Sequence, residues 1–276
     1  MSQVDLLSEL DSLLREWWCV ERQHEHYLPT LEALKVSSDD DQMKNKIWVR
    51  STLLEGHLQY LNIFNLLKAE SFYEGWCQLE RLEILLANLR LNKEHVDGDY
   101  GQRFLTNAVN SWQALYPYRI FFSSREIIKK LSCSICNRPR SILQGCGHRK
   151  HKLYAGEICH DMVEEFEFIS YDMVSNPVVK ASVPLSMEGD HYDYTVLKAA
   201  LQVVTSPGHQ FHAYKSGIPS SAHTGVYAPS SPCPCMRSIK NYEDCCLRLS
   251  TLEADHINLE FYSPMKVSAG GLLSPD

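Results

Sequence analysis

The chain has 276 residues, 44% of them hydrophobic, and its 34 acidic and 27 basic side chains give a formal net charge of −7. This length suits one large domain or two modest ones with a buried core, and the acidic balance argues against a protein that coats nucleic acid non-specifically. No apolar run of about eighteen residues occurs, which predicts that no segment spans a membrane. The first residues lack a basic stretch followed by an apolar one, so we expect no signal peptide.

Residues 1–130 are predicted to form a helical domain, because apolar residues recur there at steps of three and four. The serines and aspartates of Ser37–Gln42 predict a loop followed by a helix N-cap. The last helix of this region is expected from about Gln102 to Leu115, where Pro117 stops it. The simplest interpretation is an antiparallel helix array with aromatic residues in its core.

Strands are predicted after the helical region. Tyr118–Ile128 is interpreted as a strand, a turn and a further short element, and Met162–Val174 alternates in the manner of strands. The strand character is expected to continue through Asn176–Leu185. Tyr194–Val204 has the apolar spacing of one helix.

The fold class predicted from these patterns is α+β. A zinc-binding α+β module is expected over residues 131–204 and a linker or long loop over 205–232, which is rich in Ser, Pro, Gly and His. A second, small zinc module is expected over 233–263, with a closing strand at His256–Ser263. Residues 264–276 are expected to be a tail.

The ten cysteines are the strongest functional signal. Eight of them fall into two compact groups, at 133–159 and 233–246. Clustered cysteines in a chain without a secretion signal more often bind metal than form disulfides. Cys19 and Cys77 lie in helical patterns beside tryptophans, and we expect them to be buried without chemistry.

The first group has the spacing of a zinc ribbon or treble clef, in which two short turns converge on one ion. Cys133 and Cys136 form a C-x-x-C pair, and a later turn carries Cys146 and His148. Cys159 follows after a hairpin-like segment. We predict Cys133, Cys136 and Cys159 as ligands of one zinc ion, with either Cys146 or His148 as the fourth.

The second group resembles the SEC-C motif, a zinc-binding element named after the C-terminal tail of the SecA translocation ATPase. The matching residues are Cys233, Cys235, Lys240, Tyr242, Cys245 and Cys246. Met236–Ser238 replaces the usual Gly-Ser-Gly turn, and the loop between the cysteine pairs is one residue longer. The resemblance implies a second zinc ion held by the four cysteines. It also implies a bacterial or phage-derived cytoplasmic protein whose tail contacts a protein partner.

Basic residues crowd the first cysteine group, and zinc knuckles that carry such residues often contact phosphates and stacked bases. These residues are Arg138, Arg140, Arg149, Lys150 and Lys152. They support an alternative interpretation as a nucleic-acid-associated zinc protein in phage defence or gene control.

The leading functional hypothesis is a zinc-binding interaction or scaffold protein with two structural zinc ions and a protein partner. No phosphate-binding loop, dinucleotide fingerprint or nucleophile elbow occurs, so the pattern favours a protein that is not an enzyme. A third alternative, a zinc-dependent hydrolase, would need an open coordination position with Glu157 or Asp161 as the base. The sequence predicts neither the partner nor the oligomeric state.

Overall fold

A computed structural model of the chain describes residues 3–141, 143, 145–185, 192–219, 225–233, 240–249, 251–262, 266–268 and 271–274. These residues contain both helices and small antiparallel sheets, which confirms the predicted α+β class. None of the helices in these ranges has the length and apolar character that crossing a membrane requires.

The α-helices lie mainly in the first 115 residues. Their bounds are α1 Gln3–Arg15, α2 Tyr27–Ser37, α3 Asp41–Lys68, α4 Phe72–Leu91, α5 Gln102–Ala114 and α6 Thr195–Val203. The predicted helix start after Ser37–Gln42 is confirmed, because the Asp40 side chain caps α3 by accepting a hydrogen bond from the Gln42 N–H at 2.8 Å.

The strands form four small sheets. Their bounds are β1 Phe121–Cys133, β2 Pro139–Arg140, β3 Leu153–Tyr154, β4 Glu157–Ile158, β5 Asp161–Val174, β6 Phe211–Pro219, β7 Thr251–Phe261, β8 Lys266–Ser268 and β9 Gly271–Ser274. The sheet orders are β2-β1-β5, β3-β4, β6-β7 and β8-β9, and every pairing is antiparallel.

The core is built around α3, which contacts α1, α2, α4 and α5. It also includes residues from far along the chain. The Trp112 ring of α5 is buried and packs edge-on against Phe211 of β6, with ring centroids 4.7 Å apart. Leu197 and Leu201 of α6 belong to the same cluster. The predicted boundary at residue 130 falls inside β1, and the C-terminal half thus completes the helical core.

Three local predictions are wrong. Tyr118–Ile128 is not broken by a turn, since β1 continues from Phe121 to Cys133 along its partner β5. The 205–232 segment is not only a linker, because β6 pairs there with the distant β7. Asn176–Leu185 forms no strand.

The segment around Lys180 is held by side chains of α4 in place of a neighbouring strand. The Glu80 carboxylate accepts hydrogen bonds from the main-chain N–H groups of Lys180 and Ala181, at 2.5 and 2.8 Å. The Trp76 indole donates to the Lys180 carbonyl at 2.6 Å. These bonds satisfy main-chain polar groups of Lys180 and Ala181, which therefore need no partner in a neighbouring strand.

A buried histidine couples the helical core to pH. His57 of α3 is 4% exposed, stacks on Trp17 and donates from Nε2 to the Tyr100 carbonyl at 2.8 Å. Burial lowers the pKa of His57 to about 4, because a charged imidazolium would lose its hydration there.

We predict that the free energy of unfolding falls as the pH decreases from about 6.5 to about 4, because in this window the unfolded chain takes up a proton on His57 that the folded chain excludes. The His57 contribution is on the order of 3 kcal/mol. Urea unfolding at several pH values measures it. The variant His57→Gln, which keeps an amide donor, should lose this part of the slope, and parallel pH profiles for the two proteins would contradict the prediction.

Candidate metal centres

The first centre begins where β1 ends. Cys133 is the last residue of β1, and the chain reverses immediately: the Asn137 N–H donates to the Cys133 carbonyl at 2.8 Å, and the Cys133 N–H donates to the Arg138 carbonyl at 3.0 Å. Asn137 sits in the left-handed region at φ 54°, which asparagine tolerates. This tight turn brings the C-x-x-C pair, Cys133 and Cys136, together.

A second turn brings the other donors to the same point. Gly147, at φ 89°, occupies a left-handed conformation between Cys146 and His148. The His148 Nδ1 atom lies 3.6 Å from Cys146 Sγ and 3.7 Å from Cys133 Sγ. The edge of the His148 ring also meets Tyr154, with ring centroids 4.7 Å apart.

The four donor atoms of Cys133, Cys136, Cys146 and His148 all lie within 4.8 Å of one another, so this group could hold a metal ion. A tetrahedral zinc ion with bonds of about 2.3 Å to sulfur and about 2.0–2.1 Å to nitrogen separates a sulfur from a nitrogen ligand by about 3.6 Å. The two measured sulfur–nitrogen distances match that value. The contacts of His148 with Cys133 and Cys146 therefore fit tetrahedral coordination, and the Cys136 sulfur lies within 4.8 Å of the other donors.

Cys159 lies beside this group without belonging to it. Its Sγ is 3.7 Å from Cys133 Sγ, and its side chain is fully buried. The structure thus brings together both Cys146 and His148, which sequence reasoning treated as alternatives. Cys159, predicted as a ligand, occupies an adjacent position.

Arg140 faces the sulfur atoms. Its Nη2 donates to the His148 carbonyl at 2.6 Å and lies 3.1 Å from Cys159 Sγ and 3.5 Å from Cys133 Sγ. Its Nη1 bonds the Asp161 carboxylate, and the pKa of Asp161 is lowered chiefly by this bond. The guanidinium is therefore placed to offset the negative charge of a thiolate-rich site.

The thiols of the centre differ in their readiness to ionise. Desolvation raises the pKa of Cys133, but hydrogen bonds from the N–H groups of Ile135 and Cys136, together with the Cys146 and Cys159 thiols, lower that pKa to about 6. Burial, followed by the nearby Cys133 sulfur, raises the pKa of Cys159. The thiolate is the form that binds metal, so the lowered pKa of Cys133 favours the form that can act as a ligand.

A hairpin docks this centre onto the helices. Between β3 and β4, the turn at Ala155 and Gly156 has φ 49° and 79°, and the Gly156 N–H donates to the Asn45 side chain of α3 at 2.8 Å. The buried Asn92 side chain accepts from the Leu153 N–H at 2.9 Å and donates to the His151 carbonyl at 2.8 Å. The metal-site region is therefore fixed to the helical core by hydrogen bonds to buried asparagines.

Three cysteines form the second group. The sulfur atoms of Cys233, Cys245 and Cys246 lie within 4.8 Å of one another and could hold a metal ion. The predicted fourth ligand, Cys235, lies outside the described residues. Tyr242 is fully buried against the group, and the Cys233 N–H donates to the Lys240 carbonyl at 3.1 Å. In this part of the described chain, a small cluster of buried residues around Tyr242 thus takes the place of a larger apolar core.

Three of the five basic residues predicted to contact nucleic acid are engaged within the chain. Arg140 pairs with Asp161 at the metal site, Lys150 lies 3.4 Å from the same carboxylate, and Lys152 pairs with Glu94 at 2.8 Å. Arg138 and Arg149 are exposed. The basic residues therefore serve partly to fix the metal-site region.

Sequence reasoning missed the roles of Arg140, Asp161, Asn45 and Asn92. An acid two positions after Cys159 was a usable signal for the Arg140 pair, whereas the asparagines act on main-chain groups far along the sequence and give no local signal. Cys19 and Cys77, predicted to be buried, are only half-buried, and burial raises the pKa of both thiols. No known protein family, curated protein or solved structure matches the chain.

We predict that Arg140→Met lowers the metal affinity of the first centre by about 10- to 100-fold, because it removes the cation and the donor that face the sulfur atoms. Competition with a chromophoric zinc chelator measures this affinity. The matched control is Arg138→Met in the same turn, whose side chain is exposed and should leave affinity unchanged. Equal affinities in the two variants would contradict the assignment.

Proposed function

We propose that this protein is a zinc-binding interaction scaffold with two structural zinc ions. The observation that carries the proposal is the convergence of Cys133, Cys136, Cys146 and His148, whose donor atoms lie within 4.8 Å of one another. Soft thiolate ligands with one imidazole are the set that zinc prefers in structural sites.

The arrangement favours a structural over a catalytic zinc. Four protein donors fill the four tetrahedral positions, whereas a catalytic zinc keeps one position for water or substrate. The two acids that could act as a base are both held by cations. Glu157 pairs with Lys35 at 2.9 Å, and Asp161 is held by Arg140 and Lys150.

The first zinc would close the far end of the β1–β5 ribbon. Cys133 ends β1, and β5 begins at Asp161 directly after the metal-site region. A structural zinc contributes on the order of 10–16 kcal/mol of apparent binding free energy, which exceeds the total stability of about 5–15 kcal/mol of a typical domain. Metal would thus decide whether residues 133–160 fold.

The second zinc is supported by Cys233, Cys245 and Cys246 together with the resemblance to the SEC-C motif. The resemblance implies that Cys235 is the fourth ligand and that this SEC-C-like element contacts a protein partner. The nucleic-acid alternative rests on fewer charges than the sequence suggests, because Arg140, Lys150 and Lys152 are paired within the chain. The protein-partner interpretation therefore leads.

We predict that a strong zinc chelator makes residues 133–160, 225–233 and 240–249 sensitive to protease while α3 and α4 stay protected, because in our proposal the fold of the former residues depends on metal ligands. Limited proteolysis with mass spectrometry, before and after chelation and after zinc is restored, measures this. Cys136→Ser should reproduce the effect at residues 133–160 alone. Cys77→Ser, in a half-buried helical position, is the control. Unchanged cleavage after chelation would refute the proposal.

A further inference from the structure

β1 and β5 form a long ribbon, and for most of its length these two strands pair only with each other. β1 has 13 residues and β5 has 14, and the third strand, β2, joins β1 only at Leu131 and Ser132. Two-stranded ribbons are marginally stable unless a further layer covers their apolar face. The stability of the ribbon therefore depends on where its apolar face lies and on what covers it.

One face of the ribbon is apolar. Side chains directly opposite in an antiparallel pair share a face, as do alternate residues along a strand. Phe122, opposite Met173, and Ile128, opposite Phe166, therefore lie on one face. Between them on this face, Ser124 pairs with Tyr171 and Glu126 pairs with Phe168. The outer stripe, as we call this set, consists of Phe122, Ile128, Phe166, Phe168, Tyr171 and Met173.

The outer stripe is exposed to solvent. Its six side chains are between 43% and 70% exposed, with Tyr171 and Met173 the most exposed at 70%. The rings of Phe168 and Tyr171 contact each other across a bulge, with centroids 4.8 Å apart. These two rings thus join the parts of the stripe on either side of the bulge.

The opposite face of the ribbon is polar and ion-paired. Arg125 pairs with Asp172 at 3.3 Å, and Lys129 pairs with Glu167 at 2.8 Å. The same face begins at Phe121, which is buried in the core against Trp76. The ion-paired face is therefore the one whose first residue joins the core, whereas the apolar face stays exposed along the ribbon.

We infer that the outer stripe is the interface of a homodimer, in which two copies of the chain pack their ribbons face to face. Six large side chains at about half exposure offer on the order of 600 Å² per copy, a patch at the upper end of those found on monomers. With the flanking main chain and polar residues, this approaches the about 800 Å² per partner of a stable interface.

A second copy fits the chemistry of the stripe better than a charged ligand does. The stripe contains no cation, and the only charged residue on this face within 122–128 is Glu126 of β1. Four of the six apolar residues lie on β5, so a twofold axis between Phe168 and Tyr171 would pack the β5 lines together. Each Glu126, opposite Phe168 on β1, would then lie one strand away from that axis. Homodimer interfaces are self-complementary and more apolar than transient ones.

Sedimentation velocity of the full zinc-loaded chain over a wide concentration range tests this inference. We expect the wild type to sediment at twice the chain mass. Phe168→Ser with Tyr171→Ser should raise the dimer dissociation constant at least about 100-fold. Tyr171→Lys should act in the same direction, because it places like charges near the twofold axis, and at 70% exposure it does not disturb a monomer.

The matched control is Ile127→Ser, which changes a similarly exposed residue (47%) on the opposite face of the same ribbon and should leave the dimer intact. Circular dichroism and zinc content, measured on the same samples, show that each variant is folded and loaded. A wild type that stays monomeric at the highest concentration would overturn the inference. So would equal weakening by Ile127→Ser. A monomer with full zinc content would overturn the dimer alone and leave the zinc proposal standing.

Discussion

Three sulfur atoms and one imidazole nitrogen approach one another at Cys133, Cys136, Cys146 and His148, and we propose that residues 133–160 depend on this arrangement. Among the residues of this segment that the structure describes, the strands between the ends of β1 and β5 have two residues each, and the buried apolar residues are Cys133, Leu153 and Cys159. Such a segment cannot bury enough apolar surface to offset its conformational entropy. In our proposal a bound metal ion would supply the missing free energy, and Arg140 would offset the charge of the thiolates.

The candidate metal centre also lies at one of the two places where the β1–β5 ribbon is attached to the helical core. At one end, Phe121 enters the aromatic cluster around Trp76; at the other, the hairpin β3–β4 is bonded to Asn45 and Asn92. The ribbon is therefore attached to the helical core at both ends, and its outer stripe is presented along the length between them. The candidate metal centre thus lies at one end of the ribbon that carries the outer stripe.

Much of this could be predicted from the sequence. The apolar period marked α3, α4 and α5, and the C-x-x-C spacing marked the first centre. The choice among five candidate ligands could not be predicted. It depends on the turn at Gly147 and on the position of Cys159, two residues before β5. The pairing of β6 with β7 also escaped prediction, since it joins strands separated by the second cysteine group. The outward apolar face of the ribbon becomes visible only when the register of β1 and β5 is known.

Zinc X-ray absorption on a variant with Cys245→Ser and Cys246→Ser tests the central claim most directly, because removing the second group isolates the signal of the first. The account predicts one zinc ion with three sulfurs at about 2.3 Å and one nitrogen at about 2.0–2.1 Å, with the outer-shell scattering of an imidazole. A shell of four sulfurs without imidazole would mean that Cys159 replaces His148. A shell containing water oxygen, or no zinc at all, would contradict a closed structural site.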